Sequence, residues 1–138
     1  MKKFKLDEDL TVFGVCVENF PVGVGEAFDR LVKEIPEGFA RPYYGISWIG
    51  EDGKIVYYAT ALEKQEGEAE QYNCERHVIE KGDYLAVAVQ DWRQKTHTIK
   101  DVFAGMLQGG CTGRERPCVE WYKNNDEMLC MLRAIEQD

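Results

Sequence analysis

Phe13, Val15 and Val17 alternate with Gly14, Cys16 and Glu18, the period of a half-buried strand. Ala27, Phe28, Leu31, Val32 and Ile35 follow at helical spacing, and Pro36 and Gly38 stop that helix. Strands are predicted over residues 43–50 and 55–63, around an Asp52-Gly53 hairpin signal. The pattern then recurs. Leu85, Val87 and Val89 alternate 72 positions after Phe13, Val15 and Val17. Ile99, Val102, Phe103 and Met106 repeat the helical spacing 71 positions after Phe28, Leu31, Val32 and Ile35. That helix runs to about residue 107 and ends at Gly109-Gly110. Ile46 and Trp48 match Val119 and Trp121 at an offset of 73, so Glu120 stands where the first copy has Ser47. A last hairpin is predicted over 118–123 and 127–133, around Asn124-Asn125-Asp126 and after a loop at 111–117.

The order is β-α-β-β, linker, β-α-β-β. This predicts an α+β fold in which a duplicated unit forms one antiparallel sheet, with both helices on one face and a ligand groove between the repeats. Residues 1–138 are expected to form one domain. Repeat one covers about 10–64, the linker about 65–73 and repeat two about 74–135. Neither half alone would bury much surface.

Strand alternation then sorts side chains by face. Taking Phe13, Val15, Val17, Leu85, Val87, Val89, Ile46, Trp48, Val119 and Trp121 to face the helices leaves a second face with small residues at its centre. Gly14, Cys16, Ala86 and Ala88 lie there. Around them stand Tyr43, Tyr84, Tyr122, Trp92 and one of Tyr57 and Tyr58, with Ser47, Cys118 and Glu120 on the same side. Small residues ringed by aromatics predict a hollow. The candidate ligand-binding residues are Glu120, Tyr122, Tyr84, Trp92, Tyr43, Ser47, Tyr57 and Cys16, with Tyr57 entering for the undecided pair. Glu120 is the centre of interest, because a strand interior is a poor place for a carboxylate. In a semi-buried groove, desolvation would raise its pKa and a cation would suit it. Nearby rings would add about 0.5–2 kcal/mol each by cation–π attraction. A salt bridge to Arg133 or Lys123 is the competing explanation.

Composition removes several other functions. Seventeen basic and 25 acidic residues give a net charge of −8, which repels phosphate backbones and anionic lipid. No apolar run approaches the roughly 20 residues of a membrane span, and the basic start runs into Leu6-Asp7-Glu8-Asp9-Leu10, unlike a signal peptide. Five cysteines without a CxxC fit reduced thiols in the cytoplasm. His77 and His97 have no zinc-ligand spacing with them, and no nucleotide fingerprint is present. No metal and no cofactor are expected. Arg114, Arg116 and Lys123 read as a solvated loop cluster.

Tyr43-Tyr44-Gly45-Ile46-Ser47, the segment Glu80-Lys81-Gly82-Asp83-Tyr84-Leu85-Ala86-Val87 and Val119-Glu120-Trp121-Tyr122 together resemble the gyrase-inhibitor-like (GyrI-like) effector-binding domain. That domain is the drug-sensing part of AraC-type and MerR-type transcription regulators. It also occurs alone, including in integron-associated proteins. The resemblance covers residues 11–135 and implies an α+β fold whose groove takes bulky aromatic, cationic or lipophilic compounds. It gives Glu120 the role of meeting the ligand's charge, with Tyr122 two residues on. Some stand-alone members of similar fold hydrolyse cyclopropane-bearing toxins, which would make Glu120 the catalytic group. Too few residues precede Thr11 for a helix-turn-helix. Direct nucleic-acid binding by this chain is therefore not expected. A homodimer or an assembly with a separate DNA-binding regulator chain remains open.

Overall fold

The computed structural model describes residues 2–18, 22–95, 98–108, 117–123 and 126–133. The strands are β1 (Lys2–Leu6), β2 (Leu10–Cys16), β3 (Tyr43–Ile49), β4 (Ile55–Leu62), β5 (Glu75–Ile79), β6 (Gly82–Gln90), β7 (Cys118–Tyr122) and β8 (Glu127–Arg133). The helices are α1 (Val24–Glu34), α2 (Glu68–Gln71) and α3 (Ile99–Gln108). The expected α+β class and element order are present. Two strands and a short helix were not foreseen: β1, β5 and α2. Gly109-Gly110, His97, Cys111, Arg114, Arg116 and the Asn124-Asn125 turn lie outside the described residues.

Local chemistry sets the boundaries. Pro36 disfavours helical backbone in the residue before it, and Ile35 is extended, with φ −86° and ψ 132°. The Asp52-Gly53 hairpin forms as its sequence demands. Gly53 has φ +80°, and Asp52 Oδ1 accepts from the Lys54 amide at 3.0 Å. Asp91 closes β6 in the left-handed region at φ +58°. Its amide donates to the Asp126 carbonyl at 2.5 Å, and the chain turns so that Trp92 is buried.

All strand pairs are antiparallel, in one sheet of order β1-β6-β8-β7-β3-β4-β2-β5. The sheet cannot be flat. β1 and β2 are six strand spacings apart in this order, roughly 29 Å on a flat sheet. Only residues 7–9 join them, a reach of about 14 Å. Residues 80 and 81 make the same demand between β5 and β6. The sheet therefore curls until its ends approach, and the Lys81 amide donates to Asp9 Oδ1 at 2.7 Å across the two connections.

The sheet has an apolar cluster on each face. On one face Phe28, Leu31 and Ile35 of the α1 segment and Ile99 and Phe103 of α3 cover Phe13, Val89, Met128 and Leu132. On the other, Val12, Ile46, Val119 and Met131 pack with Trp48, Trp121, Phe4 and Leu6 inside the curl.

Near the end of β4, Arg41 and Glu68 form a buried ion pair at 2.7 Å. Glu68 also accepts the amides of Lys64 at 2.6 Å and Gln65 at 2.9 Å. Burial alone would raise the Glu68 pKa, but those amides and the guanidinium outweigh it and hold it below the ordinary value.

Candidate functional site

The two central strands set the geometry. Gly45 of β3 lies opposite Glu120 of β7 and Ala59 of β4, and Glu120 lies opposite Cys130 of β8. Directly opposed residues share a face, so the carboxylate stands amid glycine, alanine and cysteine. Tyr43 and Tyr122 form the opposed pair further along the same face.

The expected faces of β3 and β7 are reversed. Tyr43, Tyr122 and Cys118 join the cluster under the helices, whereas Ile46, Trp48, Val119 and Trp121 belong to the opposite one. The cause is that both faces are apolar. Tyr43-Tyr44, Tyr57-Tyr58 and Trp121-Tyr122 each put one ring on either side, so bulk and alternation cannot say which side meets a helix. For β2 and β6 the expected side holds, with Phe13, Val89 and the partly buried Leu85 and Val87 toward the helices. Two candidates consequently separate from Glu120. Tyr84 is buried in the opposite cluster, its hydroxyl donating to the Glu80 carbonyl at 2.5 Å. Cys16 is exposed and opposes Tyr58, on the opposite side from Tyr57. Of the undecided pair, Tyr57 meets Glu120, while Tyr58 stacks on Trp48 at 5.7 Å.

Glu120 is only 4% exposed. Its Oε1 accepts from the Tyr57 hydroxyl at 2.5 Å and from the Tyr122 hydroxyl. The two phenol oxygens lie 3.1 Å apart. Among the described residues no lysine, arginine or histidine pairs with Glu120. Arg133 instead reaches Glu80 at 3.6 Å, and Lys123 reaches Glu127 at 3.2 Å. The salt-bridge alternatives are thereby set aside. Desolvation raises the Glu120 pKa, and the two phenol donors offset only part of the rise. Burial and the adjoining carboxylate also push both phenols well above their ordinary value. The neutral form of this cluster is therefore favoured by burial, and among the described residues the acid has no ionic partner.

Gly45 makes the cluster fit. A Cβ there would lie 2.1 Å from Tyr57 Oη and 2.6 Å from Glu120 Oε1. Aromatic rings cover the far side: Phe28 and Trp92 each lie 4.7 Å from the Tyr122 ring, and Phe28 meets Tyr43 edge-on at 6.2 Å. The Tyr43 hydroxyl donates to the Gly38 carbonyl at 2.6 Å. Ser47 opposes Cys118, whose thiol burial pushes up to about 11, with the Glu120 charge adding and a Ser47 hydrogen bond opposing. Neither Gly45 nor Phe28 was among the candidate residues. For Gly45 the signal was its place across from Glu120. For Phe28 there was none, because a helix residue at core spacing looks the same whether or not it covers a site.

Among the described residues no three His, Cys, Asp or Glu side chains are grouped to hold a metal ion, and no described helix is long and apolar enough to cross a membrane.

No family model matches the sequence, and neither does any curated protein. Solved structures do match in shape. An integron cassette protein from the mobile metagenome of Vibrio cholerae superposes with a TM-score of 0.72 at 10% identity, covering 97% of this chain and 95% of its own. SAV2435 bound to tetraphenylphosphonium gives 0.64 at 14% identity, covering 96% and 93%. A hydrolase from Listeria innocua gives 0.53 at 12% identity, covering 97% and 90%. At these identities the likeness is one of fold: an α+β protein with a curled antiparallel sheet.

Proposed function

We propose that this chain is a GyrI-like effector-binding domain, formed by duplication, that takes bulky aromatic cations or lipophilic compounds against Glu120. The carrying observation is the buried acid hydrogen-bonded by Tyr57 and Tyr122 and lacking a described cationic partner. The duplication is supported by register. Ile46 and Val119, equivalent at an offset of 73 in the sequence, pair directly with each other, as residues on a twofold axis must. Phe28 and Trp92 lie on the Tyr122 ring, and a flat ligand would take over those ring contacts by moving them aside. Tyr43 and Ser47 flank the site on the same face, while Tyr84 and Cys16 have no part in it. A structure of the same fold bound to tetraphenylphosphonium agrees with this ligand class. The described cysteines are free, which suits a reducing cytoplasm.

The test is calorimetric titration of tetraphenylphosphonium into wild type and Glu120→Gln at pH 6 and pH 8. A cation favours the ionised form of Glu120, whose pKa desolvation raises. Wild-type affinity should therefore increase with pH and protons should be released on binding. Glu120→Gln should bind at least tenfold more weakly, without that pH dependence. Equal affinities for the two proteins would refute the reading.

The raised pKa of Glu120 also favours a second reading, hydrolysis of cyclopropane-type toxic compounds with Glu120 as a general base or as a group that stabilises positive charge in the substrate. A hydrolase shares the fold. Mass spectrometry of a reactive cyclopropane substrate tests it: ring-opened product that disappears in Glu120→Gln would support it, and an unchanged substrate would exclude it.

A further inference from the structure

The two phenols beside Glu120 direct their protons to the same oxygen. Oε1 accepts from the Tyr57 hydroxyl at 2.5 Å and from the Tyr122 hydroxyl. It is also the oxygen that sits over β3, 2.6 Å from where a Cβ on Gly45 would stand. A carboxylate oxygen has two lone pairs, so Oε1 is saturated. Oε2 has no donor among the described residues, and Tyr57 and Tyr122 are the two groups whose hydrogen bonds lower the Glu120 pKa. The residues directly opposite Glu120 do not remedy this. They are Gly45 and Cys130; glycine has no side chain, and a thiol is a weak donor.

This asymmetry separates two kinds of cation. An aromatic onium ion, whether phosphonium or quaternary ammonium, holds its charge behind a shell of carbon and offers no donor. Against Glu120 it would leave Oε2 buried and unbonded, which is unfavourable. A protonated amine has the same charge and an N–H as well. It can place that N–H on Oε2 in a charge-assisted hydrogen bond, the short and strong kind. Resting on the reading of Glu120 as the group that meets the ligand's charge, we propose that the site selects protonated aromatic amines, whose N–H donates to Glu120 Oε2, over aromatic onium cations that carry no N–H.

The probes are dimethyl(naphthylmethyl)amine and its quaternary analogue, trimethyl(naphthylmethyl)ammonium. Both are monocations at pH 7 with the same ring, and one has an N–H where the other has a methyl group. Calorimetric titration into the whole chain should show the amine binding at least tenfold more tightly, as a hydrogen bond to a charged group predicts. In Glu120→Gln the phenols keep the amide oxygen, and the amide nitrogen takes the place of Oε2. That nitrogen is itself a donor, so the amine's advantage should fall below threefold. A preference that came only from the bulk of the extra methyl group would survive the substitution, and its survival overturns the proposal. Equal binding of the two probes to wild type also overturns it; if Glu120→Gln then weakens both alike, Glu120 stands as the counter-ion without the hydrogen bond. Failure of both probes to bind wild type overturns the proposal together with the reading on which it rests.

Discussion

Replacing Gly45 with alanine adds one methyl group, yet it should damage the protein more than most surface substitutions. The backbone is not the obstacle, since Gly45 is not among the positive-φ residues. Alanine there would on its own stabilise the chain by about 0.4–1 kcal/mol through the unfolded state. The obstacle is that the new carbon would lie 2.1 Å from Tyr57 Oη, 2.8 Å from Tyr57 Cζ and 2.6 Å from Glu120 Oε1. Both groups are buried on neighbouring strands, so neither has open space to retreat into. Overpacking of this kind costs about 1–3 kcal/mol. Leaving a buried hydrogen-bonding group unsatisfied adds about 1–3 kcal/mol. The expected net destabilisation is about 3 kcal/mol, which corresponds to a fall of about 1–3 M in the urea midpoint. Gly45→Ala in a Tyr57→Phe background should cost less, because the nearest clashing atom is gone and its hydrogen bond with it. The coupling should exceed about 0.5 kcal/mol. A Gly45→Ala protein within about 0.5 kcal/mol of wild type, or strict additivity with Tyr57→Phe, would refute the claim that Gly45 is the seat of the acid cluster.

The pKa directions carry further expectations. The Glu120 pKa is higher in the folded protein than in the unfolded chain, mainly through desolvation. The native state therefore keeps a proton that the unfolded chain has lost, and this stabilisation is full below the ordinary carboxylate value and fades as pH rises through the folded value. Glu120→Gln should flatten that decline in a melting-temperature series from pH 4 to pH 9, and an unchanged slope would contradict the assignment. Glu68 has the opposite sign. Its lowered pKa contributes stability that is present above the unfolded value and lost as pH falls through the folded one. Arg41→Met leaves Glu68 buried without its cation and should destabilise by about 3–5 kcal/mol in urea denaturation. Arg41→Met with Glu68→Leu should recover much of that loss, and no recovery would show that the buried charge is not the cause.

The α+β class and most of the helices and strands were legible because helical spacing and strand alternation are local. α1 shows it well, with Phe28, Leu31 and Ile35 on its buried face and Pro36 at its end. β1 was missed because Lys2, Lys3 and Lys5 read as a basic tail. It becomes a strand by pairing with β6, an interaction across about 80 residues. In the candidate site, Glu120 stood out through its own chemistry, and Tyr57, Tyr122, Tyr43, Trp92 and Ser47 share its side of the fold. Tyr84 and Cys16 do not, since Tyr84 packs in the opposite cluster and Cys16 lies beside Tyr58.

The sequence alone determined the main helices and most of the strands, and that an acid is placed between apolar neighbours at 119 and 121. Those are properties of consecutive residues, set by side-chain periodicity and turn chemistry. Tertiary structure decided which face of β3 and β7 meets the helices, and therefore that Glu120 is covered and hydrogen-bonded by two phenols. That choice rests on how the whole sheet curls and which apolar face the helices bury, and a strand apolar on both sides carries no local record of it.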